Sequence, residues 1–172
     1  FCTAGSISFS RITLVTGQTL GEVVLGELDG DSFLDIVVSN PISDKVTIFR
    51  SNSSVGSISF VSGMDLTVGM GVSMPLSLEV GSIDGSGKAD LLVGNQSSNE
   101  LIILHNESST GSLSFTSIPD VSGGSALGVR SLSVGDLDGD NMPDMVAITN
   151  EGNNNIGIFR QYVLFPQSLT IT

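Results

Sequence analysis

The sequence holds one cysteine (Cys2), one histidine (His105), one tyrosine and no tryptophan. A lone Cys at a terminus is uninformative about an internal disulfide framework and leaves a free thiol or an intermolecular partner. Basic residues number only 6 against 18 acidic ones, so no basic patch exists to track a phosphate backbone, and nucleic acid is excluded as a partner. No run of about 18 apolar residues is present, so no segment reads as a membrane-spanning helix. No Gly-x-Ser-x-Gly elbow and no Gly-rich phosphate loop occurs, and no stretch has helical length and period. What remains is a Gly-, Ser- and Asn-rich chain of short apolar runs.

The net charge is −12, yet only 14% of residues are charged. The acid is concentrated. Ten acidic side chains lie in or beside three short loops: Glu27, Asp29, Asp31 and Asp35; Asp84 and Asp90; Asp136, Asp138, Asp140 and Asp144. Such clusters repel themselves unless a cation sits among them. In Asp136–Asp144, carboxylates at relative positions 1, 3, 5 and 9 of a tight loop can converge, with the carbonyl of Met142 at position 7 as a further donor. Calcium takes six to eight oxygens at roughly 2.3–2.6 Å in a forgiving geometry, whereas magnesium demands a near-ideal octahedron. The expected cofactor is therefore Ca2+. The bland alternative is a solvated acidic turn, since Asp and Gly are common in turns that bind nothing. Recurrence of the loop weighs against it.

Asp29, Asp84 and Asp138 are equivalent positions 55 and 54 residues apart, and a fixed period of this size means a solenoid, a propeller or an array. Each unit reads as four short strands. The first precedes the loop (23–28, 76–83, 132–137) and the second follows it (35–38, 90–93, 144–148). The third is the slot of Lys45–Arg50, Glu100–His105 and Asn155–Arg160. The fourth is the alternating slot Gly56–Phe60 and Gly111–Phe115, which suits a half-buried strand. Gly5–Phe9 is an extra copy of that fourth slot. The prediction is an all-β fold of β-propeller-type repeats: three four-stranded blades plus an extra N-terminal strand. The whole chain is one repeat domain, divided as 1–15 (strand completing a blade), 16–66, 67–121 and 122–172. Phe9, Phe49, Phe60, Phe115 and Phe159 recur at repeat positions and read as core.

The motif Asp136-x-Asp138-Gly139-Asp140-x-x-x-Asp144-Met145-Val146, set between apolar strands and present in three versions, resembles the calcium loop of the FG-GAP and VCBS repeat family, the blades of integrin α-subunit propellers. The resemblance covers nearly the whole chain. It implies a calcium site in the loop joining the first two strands of each blade. The Phe-Gly and Gly-Ala-Pro signatures of the integrin version are absent, so integrin-type ligand recognition does not carry over. The third loop is expected to be strongest. The first offers Glu27, Asp29, Asp31, the carbonyl of Phe33, and Asp35. The second offers Ser82, Asp84, Ser86, the carbonyl of Lys88, and Asp90; two carboxylates have become hydroxyls, so weak binding or none is expected. An EF-hand is excluded, because its loop needs Glu at position 12, where this chain has Ala147 and Val38.

These observations predict a non-catalytic protein. His105 shares a slot with Arg50 and Arg160 and reads as a surface strand residue. An extracellular or cell-surface setting is expected, where millimolar calcium suits modest-affinity loops. The sequence starts at Phe1, which fits a mature, trimmed product, and the sequons at Asn52, Asn95 and Asn106 are candidate glycosylation sites. Three blades fall short of the roughly four to eight that close a propeller. Self-association into a homo-oligomer, fibre or surface array is the favoured completion; the alternative is an adhesion module binding a protein or glycan ligand.

Overall fold

The computed structural model describes residues 8–69, 71, 73–118, 128–149 and 155–162. Among these there is no helix, and eleven strands form three antiparallel sheets. The first sheet runs β1 (Val23–Gly26), β2 (Asp35–Asn40), β3 (Lys45–Phe49) and β4 (Met64–Thr67). The middle sheet runs β5 (Pro75–Gly81), β6 (Asp90–Asn95), β7 (Leu101–Asn106) and β8 (Phe115–Ile118). The last holds β9 (Val129–Gly135), β10 (Asp144–Thr149) and β11 (Ile156–Phe159). Each is a meander in which every strand pairs with its sequence neighbour.

The pleat decides which sheet each side chain meets. In β6, Leu91 and Val93 join a core shared with Val37, Val46 and Ile48 of the first sheet. Leu92 points the other way, into a core with Leu132, Met145 and Ala147 of the last sheet. Strand β6 is therefore buried throughout, and its centre, Leu91-Leu92-Val93, is a continuous apolar run with no alternation. Full burial of such side chains stabilises by about 1.5–3 kcal/mol each. Two glycines let the sheets approach. A Cβ on Gly26 would lie 2.5 Å from Val80 Cγ1, and one on Gly94 would lie 2.5 Å from Val129 Cγ1.

Three sequence expectations are corrected here. The Gly56–Phe60 slot is not the fourth strand: Ser54 and Ser57 bridge across a tight turn, so this slot folds back on residues 51–54 and the fourth strand forms later, at Met64–Thr67. In the middle sheet the turn is at Ser109 and Ser112, and only Phe115 of the expected slot enters β8. Phe9 is 92% exposed and is no core residue. Of the extra N-terminal copy, Ser8 and Phe9 are not in a strand; Gly5–Ile7, Cys2 and the tail beyond 162 lie outside the described residues.

Candidate metal centres

Each acidic loop joins the first two strands of its sheet and takes the same path. Gly30, Gly85 and Gly139 have φ of 81°, 74° and 82°. Two residues on, Ser32, Gly87 and Asn141 are also left-handed, at 72°, 82° and 63°. Glycine adopts this region without steric cost, and Asn tolerates it. The result is a tight coil that turns successive aspartates inward.

A ladder of side-chain bonds fixes the coil. Asp29 Oδ1 accepts from Asp31 N at 3.2 Å, and Asp31 Oδ1 from Phe33 N at 2.8 Å. Asp138 Oδ1 accepts from Asp140 N at 3.2 Å, and Asp140 Oδ1 from Met142 N at 2.9 Å. In the middle loop Asp84 Oδ1 takes Ser86 N at 2.9 Å, and Ser86 Oγ takes Lys88 N at 3.2 Å. At the first position Glu27 Oε1 accepts Gly30 N and Asp31 N, while Asp136 accepts Gly139 N and Asn141 N. Those two donated N–H groups, Gly139's first, hold the Asp136 carboxyl below the usual range.

One oxygen of each ladder Asp is thus spent on the backbone, and the other oxygen of Asp29, Asp84, Asp138 and Asp140 faces an arginine or histidine side chain from the end of the third strand. Arg160 Nε meets Asp138 Oδ2, and its Nη2 lies 3.3 Å from Asp140 Oδ2. Arg50 Nη1 lies 3.5 Å from Asp29 Oδ2. His105 Nδ1 lies 2.9 Å from Asp84 Oδ2 and 3.2 Å from Asp90 Oδ1. His105 is therefore not a plain surface residue; it is half-buried in the middle loop, in the slot of the two arginines. For Asp84, burial pushes the carboxyl up, but bonds from Ser86 and the nearby imidazole outweigh it and lower the net value. Lys88 turns away, its Nζ donating to Ser108 O at 2.7 Å.

The last Asp of each loop plays a different part. Asp35, Asp90 and Asp144 are 0%, 1% and 1% exposed. Each accepts one N–H from its own loop, at Leu28, Ile83 or Leu137, and one from the end of the third strand or just past it, at Ser51, Asn106 or Gln161, all within 2.8–3.1 Å. These carboxylates tie loop to sheet. Burial, opposed by its two backbone bonds, raises the carboxyl of Asp35.

Carboxylate oxygens of Glu27, Asp29 and Asp31 lie within 4.8 Å of one another, as do those of Asp136, Asp138 and Asp144; in the middle loop the group is Asp84, Asp90 and His105 Nδ1. An all-oxygen donor set on a short loop fits a hard cation. The first and third loops offer one; the middle loop brings together two carboxylates and an imidazole.

Residues 83–147 match the family described as FG-GAP-like repeat. That segment is similar to an FG-GAP-like repeat. The match runs from the loop of the middle sheet through β10, and the same loop, strand order and buried Asp tie recur in the first sheet. No curated protein matches the chain. Among the described residues no helix of this repeat protein is long and apolar enough to cross a membrane.

Two candidate glycosylation sites are corrected. Asn95 and Asn106 are 0% and 1% exposed. Asn95 Nδ2 donates to Val68 O, and Asn106 Nδ2 to Leu28 O and Ala89 O, so neither amide is open to a transferase. Asn52 is exposed. Two further features carry no signal in the sequence. Asp44, buried, accepts Ser73 N and Met74 N from the chain entering the middle sheet. Gln161 Nε2 reaches back to Ile83 O at 3.0 Å, as Asn106 reaches back to Leu28.

Proposed function

We propose that this chain is an extracellular, calcium-stabilised structural protein built of propeller-type blades, which associates with other copies of itself and catalyses nothing. The observation that carries the reading is the convergence of carboxylate oxygens from Glu27, Asp29 and Asp31, and from Asp136, Asp138 and Asp144, each group within 4.8 Å of one another. Calcium held by Glu27, Asp29, Asp31 and Asp35, and by Asp136, Asp138, Asp140 and Asp144, would supply positive charge where these carboxylates repel one another. Phe33 and Met142 supply the backbone carbonyl of the same loops. Binding to the folded chain alone adds to its stability, by about 2.7 kcal/mol per site at a hundredfold excess over Kd. Asn52 is the glycan acceptor in this reading.

The test is thermal unfolding with and without chelator, paired with negative-stain microscopy. A melting temperature that falls several degrees on chelation, with fibres or arrays that disperse, supports the proposal. An unchanged melting temperature sinks the calcium role. Discrete particles in calcium favour the second reading, an adhesion module. That reading draws on a cleft of about 380 Å³ between the first two loops, lined by Asp29, Gly30, Gly87, Lys88 and Asn106 among others, with room for a glycan or peptide group.

A further inference from the structure

Among the described residues, the first and last sheets each leave one face open, and the repeat says what those faces match. Every sheet packs in the same direction: the face carrying Val37 in the first sheet meets the middle sheet, and its equivalent, the face of Leu92, meets the last. The equivalent face of the last sheet carries Val146, Ile148, Ile156 and Ile158, which pair across β10 and β11. Ile156 and Ile158 are 68% and 67% exposed. At the other end, the outward face of the first sheet carries Val23 and Leu25, 60% and 58% exposed. Their equivalents in the middle sheet, Leu78 and Val80, pack against the first sheet.

The glycines repeat the pattern. Gly26 lies under Val80, and its equivalent Gly81 lies under Val134, 3.4 Å from a Cβ built there. The third equivalent, Gly135, has nothing within 4 Å of such a Cβ. The residue equivalent to Val80 and Val134 is Leu25, at the far end of the chain. The turns agree as well. Gly111 N, in the turn of the middle sheet, donates to Asp29 Oδ2 of the first loop at 2.8 Å. Its equivalent in the first sheet, Gly56, stands beside Val55, 99% exposed, and the matching acceptor is Asp138.

From this we infer that the outer face of the last sheet docks head-to-tail on the outer face of the first sheet in a second copy of this chain. Leu25 of one copy covers Gly135 of the other, and the Val55-Gly56 turn reaches Asp138. The contact continues, residue for residue, the two inter-sheet interfaces already inside the chain. It rests on the self-association reading above and gives it a site. Both halves of the contact are present on every copy, so the interface is heterologous and propagates unless its rotation closes a ring.

The test uses two end-blocked variants of the full chain, Leu25→Asp and Gly135→Glu, in calcium, with mass measured by light scattering after size exclusion. Both positions are open, so each variant should keep the wild-type far-UV spectrum and melt as a cooperative unit. The wild type is expected to associate and each variant alone to be monomeric. Mixed in equal amounts, the two variants should form a one-to-one dimer that grows no further, because a single intact contact remains, Leu25 of one on Gly135 of the other. A mixture that stays monomeric overturns the contact. A Leu25→Asp variant that associates with itself as well as the wild type does also overturns the contact but leaves self-association standing. A wild type that is monomeric in calcium overturns both, as it would if a further segment of the same chain covered these faces.

Discussion

Asp35 Oδ1 accepts the backbone N–H of Ser51 at 2.8 Å while its Oδ2 holds Leu28 N, so one buried carboxylate joins the acidic loop to the end of the third strand. These two bonds hold loop to strand whether or not calcium is bound. Asp35→Ala strands two buried N–H groups and should cost about 2–4 kcal/mol. That loss should appear in chelator as well as in calcium. Asp31→Ala removes a ladder carboxylate from a half-exposed position and should cost under about 1 kcal/mol in chelator, but more in calcium. Urea unfolding of both variants, each with and without calcium, separates the two roles.

Arg160 sits on the oxygens of Asp138 and Asp140 that a metal would take. Its own proton is held more tightly by those carboxylates, Asp138 first. Calcium must share these oxygens with the guanidinium or displace it. Arg160→Gln should therefore tighten calcium binding at the third loop, by about two- to fivefold given that exposed ion pairs are weak. Calorimetric titration reads this directly, and weaker binding in the variant would show that Arg160 supports the bound metal.

The seam between the middle and last sheets carries an acid at a cost. Burial raises the carboxyl of Glu79, Glu22 adds to that, and a bond from Val134 N only partly offsets it. A carboxyl whose folded value lies above its unfolded one is ionised at the expense of stability. The penalty is absent below about pH 4.5, the unfolded value, and complete once pH exceeds the raised folded value. Glu79→Gln keeps an acceptor for Val134 and removes the charge. Its melting temperature should match the wild type near pH 4 and exceed it by a few degrees at most at pH 7. A gap that instead widened toward acid would contradict the assignment.

Much of this was legible because a loop repeated three times carries its own control. The first three strands of each sheet fall within a few residues of their expected bounds, since Asp35, Asp90 and Asp144 mark where the loop hands over to the second strand. The fourth strand was misplaced because Ser-Ile-Ser-Phe alternates as a strand does. What decides its fate is the left-handed Gly56 and Gly111 before it, which fold the slot back as the arm of a hairpin. The sequon at Asn106 failed by a single residue of pleat: Asn106 is equivalent to buried Ser51, not to exposed Asn52. His105 was read as a surface residue because strand alternation does not report that the slot ends over the loop. Its equivalents Arg50 and Arg160 held that information, since three cationic or protonatable side chains share one slot opposite three acidic loops.

The middle loop offers the sharpest test of what these sites need. Its backbone already has the required path, with left-handed Gly85 and Gly87 matching Gly139 and Asn141, and Asp90 makes the same two backbone bonds as Asp144. Only the carboxylates at Ser82 and Ser86 are missing. If the coil geometry supplies the site and the acids supply the charge, the double substitution Ser82→Asp, Ser86→Asp should create a calcium site. Calorimetric stoichiometry should then rise from two per chain to three, with a Kd on the order of 10⁻⁵–10⁻³ M, the range of sensor and extracellular loops. In chelator the double variant should melt below the wild type, because two added charges face Asp84 with only His105 beside them. In calcium that order should reverse. A stoichiometry that stays at two would mean that His105, lying against both Asp84 and Asp90, occupies the cation position itself. Adding His105→Gln to the double variant should then restore the third site.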